Sequence, residues 1–334
     1  MGSNVELHEL KSAHLPEPVP YAVVTPPGYE QSAPLPLCLV LMGGGGSRQS
    51  LLDTLPRFEV WWSDGSLPPM VLATPSAGMS YYVELPDGPL RWDSFLAEDF
   101  LSHLRATCNV LPEASSTAIT GISMGGYGAL KLAFARPDQF CAVAAIQPIL
   151  EPGLRDEQIG ARNRIHHASG GPPELIGPAR DAKVVEANNP ANRAQANAEA
   201  IRESGLAIYF EAGDEDFVNA HDGTEFLHRV LWDLDIVHEY HLVRGGDHGG
   251  PTLIPRMRAA YTWIGSVLCG ANPEPSPSEQ AVTAWIEGGM AGDPPPVAPS
   301  SKEFLRVVRA RLKPLREQAA VEDPNTNRRY GVLP

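Results

Sequence analysis

The chain is poor in several things, and each shortage excludes a class. No run of 18 or more apolar residues occurs in its 334 residues, so no segment reads as a membrane-spanning helix. Basic residues are outnumbered, 26 Lys and Arg against 40 Asp and Glu, for a formal net charge of −14. That balance argues against nucleic acid or an anionic membrane as partner, since both require basic surface. Cysteine is scarce. Cys38, Cys108, Cys141 and Cys269 are widely scattered with no C-x-x-C spacing, which argues against a thiolate zinc site. Cys38 and Cys141 stand in apolar runs and read as small buried hydrophobes. The first ten residues have neither a basic start nor an apolar stretch, so no export signal is expected and a reducing, cytoplasmic setting fits.

What is present is a rhythm. Short apolar runs at residues 21–25, 35–42, 70–74, 116–120, 141–146, 206–210 and 236–243 read as strands, several buried on both faces. Between them, residues 94–107, 126–135 and 218–231 carry apolar side chains at helical spacing. Alternating strands and helices predict an α/β protein with a mostly parallel sheet flanked by helices. Two regions break the pattern. Residues 151–200, rich in Gly, Pro, Ala and Asn, read as an insertion that could form a cap within a catalytic domain of residues 1–270. Residues 271–300 are proline-rich and read as an extended linker. Residues 301–334 read as a helical tail interrupted near Pro314, with Phe304, Val308, Leu312 and Leu315 on one stripe. The tail carries eight basic residues against four acidic ones, which suits docking on an acidic body or a homo-oligomer contact.

The chemistry concentrates at Gly121-Ile122-Ser123-Met124-Gly125, a G-x-S-x-G directly after a strand run and directly before a helix pattern. A strand-to-helix turn this tight needs small residues two positions either side of the serine. It leaves Ser123 at a helix N-terminus, where N–H groups favour developing negative charge. A serine hydroxyl needs a base to become a nucleophile. Of ten histidines, His248 follows the last strand run within the glycine-rich loop Gly245–Gly250, placed to reach the sheet's C-terminal edge. His238 and His241 fall within a strand pattern, His221 and His228 on a helix, and His166 and His167 in the insertion; each reads as structural or exposed. The base needs a carboxylate to fix its tautomer. In chain order that acid should fall between Ser123 and His248, and Asp214, Glu215 and Asp216 all follow a strand in the interval. One of them could instead cap the next helix. Two backbone N–H donors are needed for an oxyanion. Met124 supplies one, and the loop Gly43–Gly46 after an early strand has the form to supply the other. A phosphate-cradling loop fails there, because no G-K-[ST] follows.

These residues resemble the "Putative esterase" family of α/β-hydrolases, which includes esterase D-like and feruloyl-esterase-like proteins and the mycolyltransferases. The resemblance covers roughly residues 20–268. It rests on Met42 to Ser47, on Tyr81-Tyr82 with Arg91 to Phe95, and on Gly121 to Leu130. It continues through Asn188-Asn189-Pro190, Gly213 to Phe217 and Gly246-Asp247-His248. It implies an α/β-hydrolase fold and a Ser–Asp–His triad, with the acid of a G-x-x-D pattern at Asp216 and an oxyanion donor at Gly44, after the first loop glycine. Met42 stands where many relatives carry histidine or another polar residue. The insertion around 155–185 and the tail after 270 match no family feature, nor does the loop that formylglutathione-hydrolysing members carry after the sixth strand.

The expectation is therefore a serine carboxylic-ester hydrolase acting on a small-molecule ester. It would use Ser123, Asp216 and His248, with Gly44 and Met124 at the oxyanion hole, and neither metal nor organic cofactor. A thioesterase or acyltransferase would use the same residues with a different substrate or acceptor. The rival from another class is a non-catalytic binding protein on the same fold.

Overall fold

The computed structural model describes residues 2–29, 33–270, 277–299 and 301–322. The chain falls into two units, Met1–Cys269 and Gly270–Pro334.

The first unit is built on eight strands: β1 (Asn4–Leu10), β2 (Val19–Thr25), β3 (Leu37–Leu41), β4 (Val71–Pro75), β5 (Thr117–Ile122), β6 (Ala142–Ile146), β7 (Ala207–Gly213) and β8 (Glu239–Val243). They form one sheet in the order β1-β2-β4-β3-β5-β6-β7-β8. β2 pairs antiparallel with both β1 and β4, and the other neighbours are parallel. Central strands such as β3 are buried at every position, as a sheet covered on both faces requires. β1 was not anticipated. It is an edge strand whose residues are mostly exposed, so it lacks the apolar run that marks the others.

Helices cover both faces. α1 (Arg48–Ser63) and α9 (Leu253–Leu268) pack on one, where Phe58, Trp61, Tyr261 and Ile264 meet Val40, Ala144 and Ile146. The sequence reading missed both helices. α1 contains Pro56 and α9 has Pro255 in its first turn. The start of α1 is fixed by Ser47, whose side chain accepts from the Gln49 N–H while Ser50 accepts from the Ser47 N–H. On the other face lie α2 (Trp92–Ser94), a π-helical turn over Phe95–Phe100, α3 (Leu101–Thr107), α4 (Met124–Ala135) and α8 (Ala220–Asp233). There the buried chain of rings Tyr82, Trp92, Phe95, Phe100 and Tyr21 runs ring to ring at 5.2–5.6 Å between centroids.

The chain between β6 and β7, which includes residues 151–200, contains 3-10 turns over Asp156–Gln158 and Ala161–Ser169 and three short helices, α5 (Ala182–Asn188), α6 (Pro190–Ala196) and α7 (Ala198–Ser204). A buried ion pair anchors it to the core: Lys131 of α4 lies 2.6 Å from Asp93 and donates to Asn188 at 3.2 Å.

The second unit corrects two expectations. The stretch read as an extended linker holds a helix, α10 (Pro277–Glu287), because proline at a first helical position does not oppose the helix. α11 (Lys302–Glu322) runs on through Pro314 rather than breaking there. The two helices pack together, with the Arg306 guanidinium 3.0 Å from Thr283 Oγ1 and Arg311 over the Trp285 ring at 5.9 Å. Residues 271–276 and 323–334, within the expected linker and tail, lie outside the described residues.

Candidate active site

The sheet register brings five strand ends level. Leu41 pairs with Gly121, Ile122 with Ile146, Ile146 with Glu211, and Gly213 with Val243. The loops that leave those ends carry the glycine run, Ser123, Gln147, Asp216 and His248 to one edge, where parallel α/β sheets bind ligands.

Ser123 sits between β5 and α4 with φ 56° and ψ −120°. A non-glycine residue in that region is strained by about 1–3 kcal/mol and persists only where its surroundings hold it. The holding is visible. The Ser123 N–H donates to the Ile146 carbonyl at 2.9 Å, and the Ser123 carbonyl accepts from Tyr127 and Ile149. The flanking glycines are required by contact. A Cβ on Gly125 would stand 2.0 Å from the Leu41 carbonyl oxygen, and one on Gly121 would stand 2.1 Å from that of Gly125.

His248 Nε2 lies 2.9 Å from Ser123 Oγ, and His248 Nδ1 lies 2.7 Å from Asp216 Oδ2. Asp216 is 2% exposed, and its other oxygen accepts from the Val218 N–H at 2.9 Å. The serine, histidine and aspartate singled out in the sequence therefore form one hydrogen-bonded series. With Nδ1–H held by a carboxylate, Nε2 is left as acceptor toward the serine hydroxyl, which is the arrangement that can take its proton. The alternatives lie elsewhere. Asp214 accepts the Gly245 N–H at 2.6 Å and so closes the turn that follows β8. His238, just before β8, has its Nε2 2.8 Å from His228 Nδ1, and His241 on β8 packs against the Tyr209 ring; neither is hydrogen-bonded to the serine.

Gly44 lies in the loop after β3, and Met124 is the first residue of α4. A Cβ on neighbouring Gly43 would stand 3.5 Å from Ser123 Cβ, so this loop runs against the serine. Tyr82 braces it. Its buried hydroxyl donates to the Met42 carbonyl at 3.1 Å, and its own carbonyl accepts from Lys131 Nζ at 2.6 Å. Tyr81 and Tyr82 both have positive φ, 51° and 48°, a second strained point at this edge.

Two spaces lie near this edge of the sheet, lined by neighbours of the serine and not by Ser123 itself. A cavity of about 330 Å³ lies beside the glycine loop, lined mainly by apolar side chains including Met42, Phe58, Ile254 and Met257. A second recess, of only about 20 Å³, is walled by Tyr81, Tyr127, Glu151 and His166. Burial pushes the His166 imidazole down to about 4, against the opposing pull of Glu151. Glu151, His166 and His167 have ligand atoms within 4.8 Å of one another, a spacing a metal could use. The Arg180 guanidinium stands 3.3 Å from Glu151, however, and already supplies a cation there. Burial raises the Glu151 carboxyl, but the His167 hydrogen bond and the nearby positive charges outweigh it, and the net shift is downward.

The sequence reading passed over a group beneath His248: Gln147, Glu211, Asp247 and Arg256. The signal was a charged residue inside a buried strand run, Glu211 in β7, and another in the first turns of an apolar helix, Arg256 in α9.

An eight-stranded, mostly parallel sheet with a serine on a strained strand-to-helix turn at its C-terminal edge defines an α/β-hydrolase. The sequence pattern of the family described as "Putative esterase" matches residues 12–249, and the chain belongs to that family. It is an esterase-family hydrolase. It is 31% identical over 128 residues to the diacylglycerol acyltransferase/mycolyltransferase Ag85C of Mycobacterium leprae, a match covering 33% of this chain and 38% of that protein's length. Among solved structures, a ferulic acid esterase superposes with a TM-score of 0.65 at 20% identity, covering 80% of this chain and 99% of the other. An S-formylglutathione hydrolase from Agrobacterium tumefaciens superposes with a TM-score of 0.62 at 16% identity, covering 80% and 96%. At such identities these two likenesses speak for the fold.

Proposed function

We propose that the chain hydrolyses small carboxylic esters through an acyl-enzyme on Ser123. The observation that carries this is the hydrogen-bonded series from Ser123 Oγ through His248 to the buried Asp216. Ser123 Oγ attacks the acyl carbon as its proton passes to His248 Nε2. Asp216 holds the Nδ1–H and stabilises the imidazolium. The Gly44 and Met124 N–H groups receive the oxyanion, each worth about 3–4 kcal/mol in the transition state. Collapse breaks the ester C–O bond, and the alcohol leaves with the proton from His248. Water then attacks the acyl-enzyme, giving its proton to the same nitrogen, and Ser123 is restored. No step calls on a metal or an organic cofactor. The apolar cavity beside the glycine loop suits an acyl chain.

The test is direct. Purified protein is mixed with p-nitrophenyl acetate, and intact mass is read alongside nitrophenol release. An acyl adduct on Ser123 that decays at the turnover rate is expected. Turnover with the adduct on another residue, or none at all, overturns the reading.

The local similarity to a mycolyltransferase favours one second reading, transfer of the acyl group to an alcohol instead of water. Both reactions share the acyl-enzyme. Adding an alcohol or sugar acceptor and measuring the ratio of new ester to free acid separates them.

A further inference from the structure

Arg256 and Gln147 form a buried clamp on the backbone of the loop that carries His248. Arg256 projects from the first turns of α9 and is 5% exposed. Its Nε donates to Glu211 Oε2 at 2.7 Å and its Nη2 to Glu211 Oε1 at 3.1 Å, a two-pronged pair with a carboxylate that is itself fully buried. Neither prong touches the triad. The remaining bonds lead there. Arg256 Nη1 donates to the Asp247 carbonyl at 2.7 Å, and Nη2 donates to Gln147 Oε1 at 2.8 Å. Gln147 Nε2 in turn donates to the His248 carbonyl. Two successive carbonyls, at His248 and the residue before it, are thus fixed from below by one guanidinium, directly and through one amide.

Gln147 is held for this purpose at some cost. It is 1% exposed, its φ is 41°, and its N–H donates to the Glu211 carbonyl at 2.9 Å. A left-handed, non-glycine residue directly after β6 persists only when over-determined by its surroundings. A buried ion pair is often no more stable than apolar residues of the same volume, so stability alone does not account for it. Its geometry does something apolar residues cannot: it anchors carbonyl oxygens at set positions.

We propose that Gln147 and Arg256 are positioning residues for His248, fixing the loop so that Nε2 stays within proton-transfer reach of Ser123. The inference rests on the reading of Ser123, His248 and Asp216 as a triad. It concerns kcat and not substrate affinity, because neither residue lines either of the two cavities near the serine. Misplacing a reacting group by about 1 Å can cost on the order of 100-fold in rate.

The variants are Gln147→Leu, which removes the donor to His248 and leaves the ion pair, and Gln147→Glu, which keeps an acceptor for Arg256 but has no donor. Arg256→Lys keeps the charge against Glu211 and loses the fork. Each is assayed with p-nitrophenyl acetate for kcat and KM and with a fluorophosphonate for its inactivation rate, beside Ser123→Ala. Expected are kcat and inactivation rates lowered together by about 10- to 100-fold, with KM within about twofold, in all three positional variants. Gln147→Glu should be as slow as Gln147→Leu, since the donor is what matters. Wild-type kcat in folded Gln147→Leu, or a loss seen in KM alone, overturns the proposal. Should a variant fail to fold, the other two still decide it. Turnover retained by Ser123→Ala would sink the triad reading instead, so the two failures are distinguishable.

Discussion

His248 Nε2 stands 2.9 Å from Ser123 Oγ across 125 residues of chain, and no other histidine is hydrogen-bonded to Ser123 among the described residues. Ser123→Ala removes the hydroxyl that donates to that imidazole and nothing from the core. The variant should keep the wild-type melting temperature within a degree or two, lose ester turnover, and fail to react with a fluorophosphonate. Labelling of a second serine in the variant would move the nucleophile.

Asp216 and Asp214 leave the same strand with different partners, His248 Nδ1 and the Gly245 N–H. Asp216→Asn frees the imidazole to take the wrong tautomer and should lower kcat by about 10⁴ while the fold is kept. Asp214→Ala loses one turn-closing bond and should cost about 1 kcal/mol of stability with most of the rate retained. Side-by-side kcat and melting temperature check this, and the reverse pattern would reassign the acid.

The glycine at 125 is dictated by contact and not by flexibility, since its φ is negative and a Cβ would fall 2.0 Å from a backbone carbonyl oxygen. Gly125→Ala must push β3 and α4 apart. Destabilisation of at least about 1–3 kcal/mol is expected, with activity lost beyond that share because the Ser123 turn is displaced. Chemical denaturation measures the first and turnover the second. An alanine variant with wild-type stability and rate would show that the turn can relax.

His166 links the inserted region to pH. Burial holds its folded-state value at about 4, below the ordinary value near 6.5. A group whose folded value is depressed contributes stability above the unfolded value and loses it as pH falls. The melting temperature should therefore drop as pH is lowered from about 6.5 to 4, with up to about 3 kcal/mol from this residue. The downward shift at Glu151 acts in the same sense at the acid end of that window. His166→Gln should flatten the slope between pH 6.5 and 4.5. A slope identical to wild type would mean that His166 does not titrate on unfolding in that range.

Lys131 is fully buried against Asp93, and burial pulls its ammonium below the usual lysine range. Lys131→Met leaves the Asp93 carboxylate with Arg193 alone, 3.1 Å away, as its cation and should cost up to about 3–5 kcal/mol. It should also loosen the Tyr82 carbonyl and with it the brace on Met42. Denaturant titration checks the first effect, and fluorophosphonate reactivity of the folded fraction checks the second.

The amino-acid sequence by itself determined what adjacent residues can enforce. The small–x–Ser–x–small turn after a strand run, the glycine loop after β3 and the buried parallel strands are local matters of backbone reach and side-chain period, and they are legible without neighbours. Local rules failed where packing overrode them: Pro56 and Pro255 concealed α1 and α9, and the proline-rich stretch after residue 270 concealed α10. The rest depended on sheet register. Spacing could not separate Asp214 from Asp216, because both leave β7 in one loop. Only the position of β8 beside that strand sets which carboxylate meets the imidazole and which closes the turn. Gln147, Glu211 and Arg256 carry no motif at all. Their bonds cross 45 and 109 residues and exist only because β6, β7 and α9 are brought together under one loop, a relation that no stretch of neighbouring residues encodes.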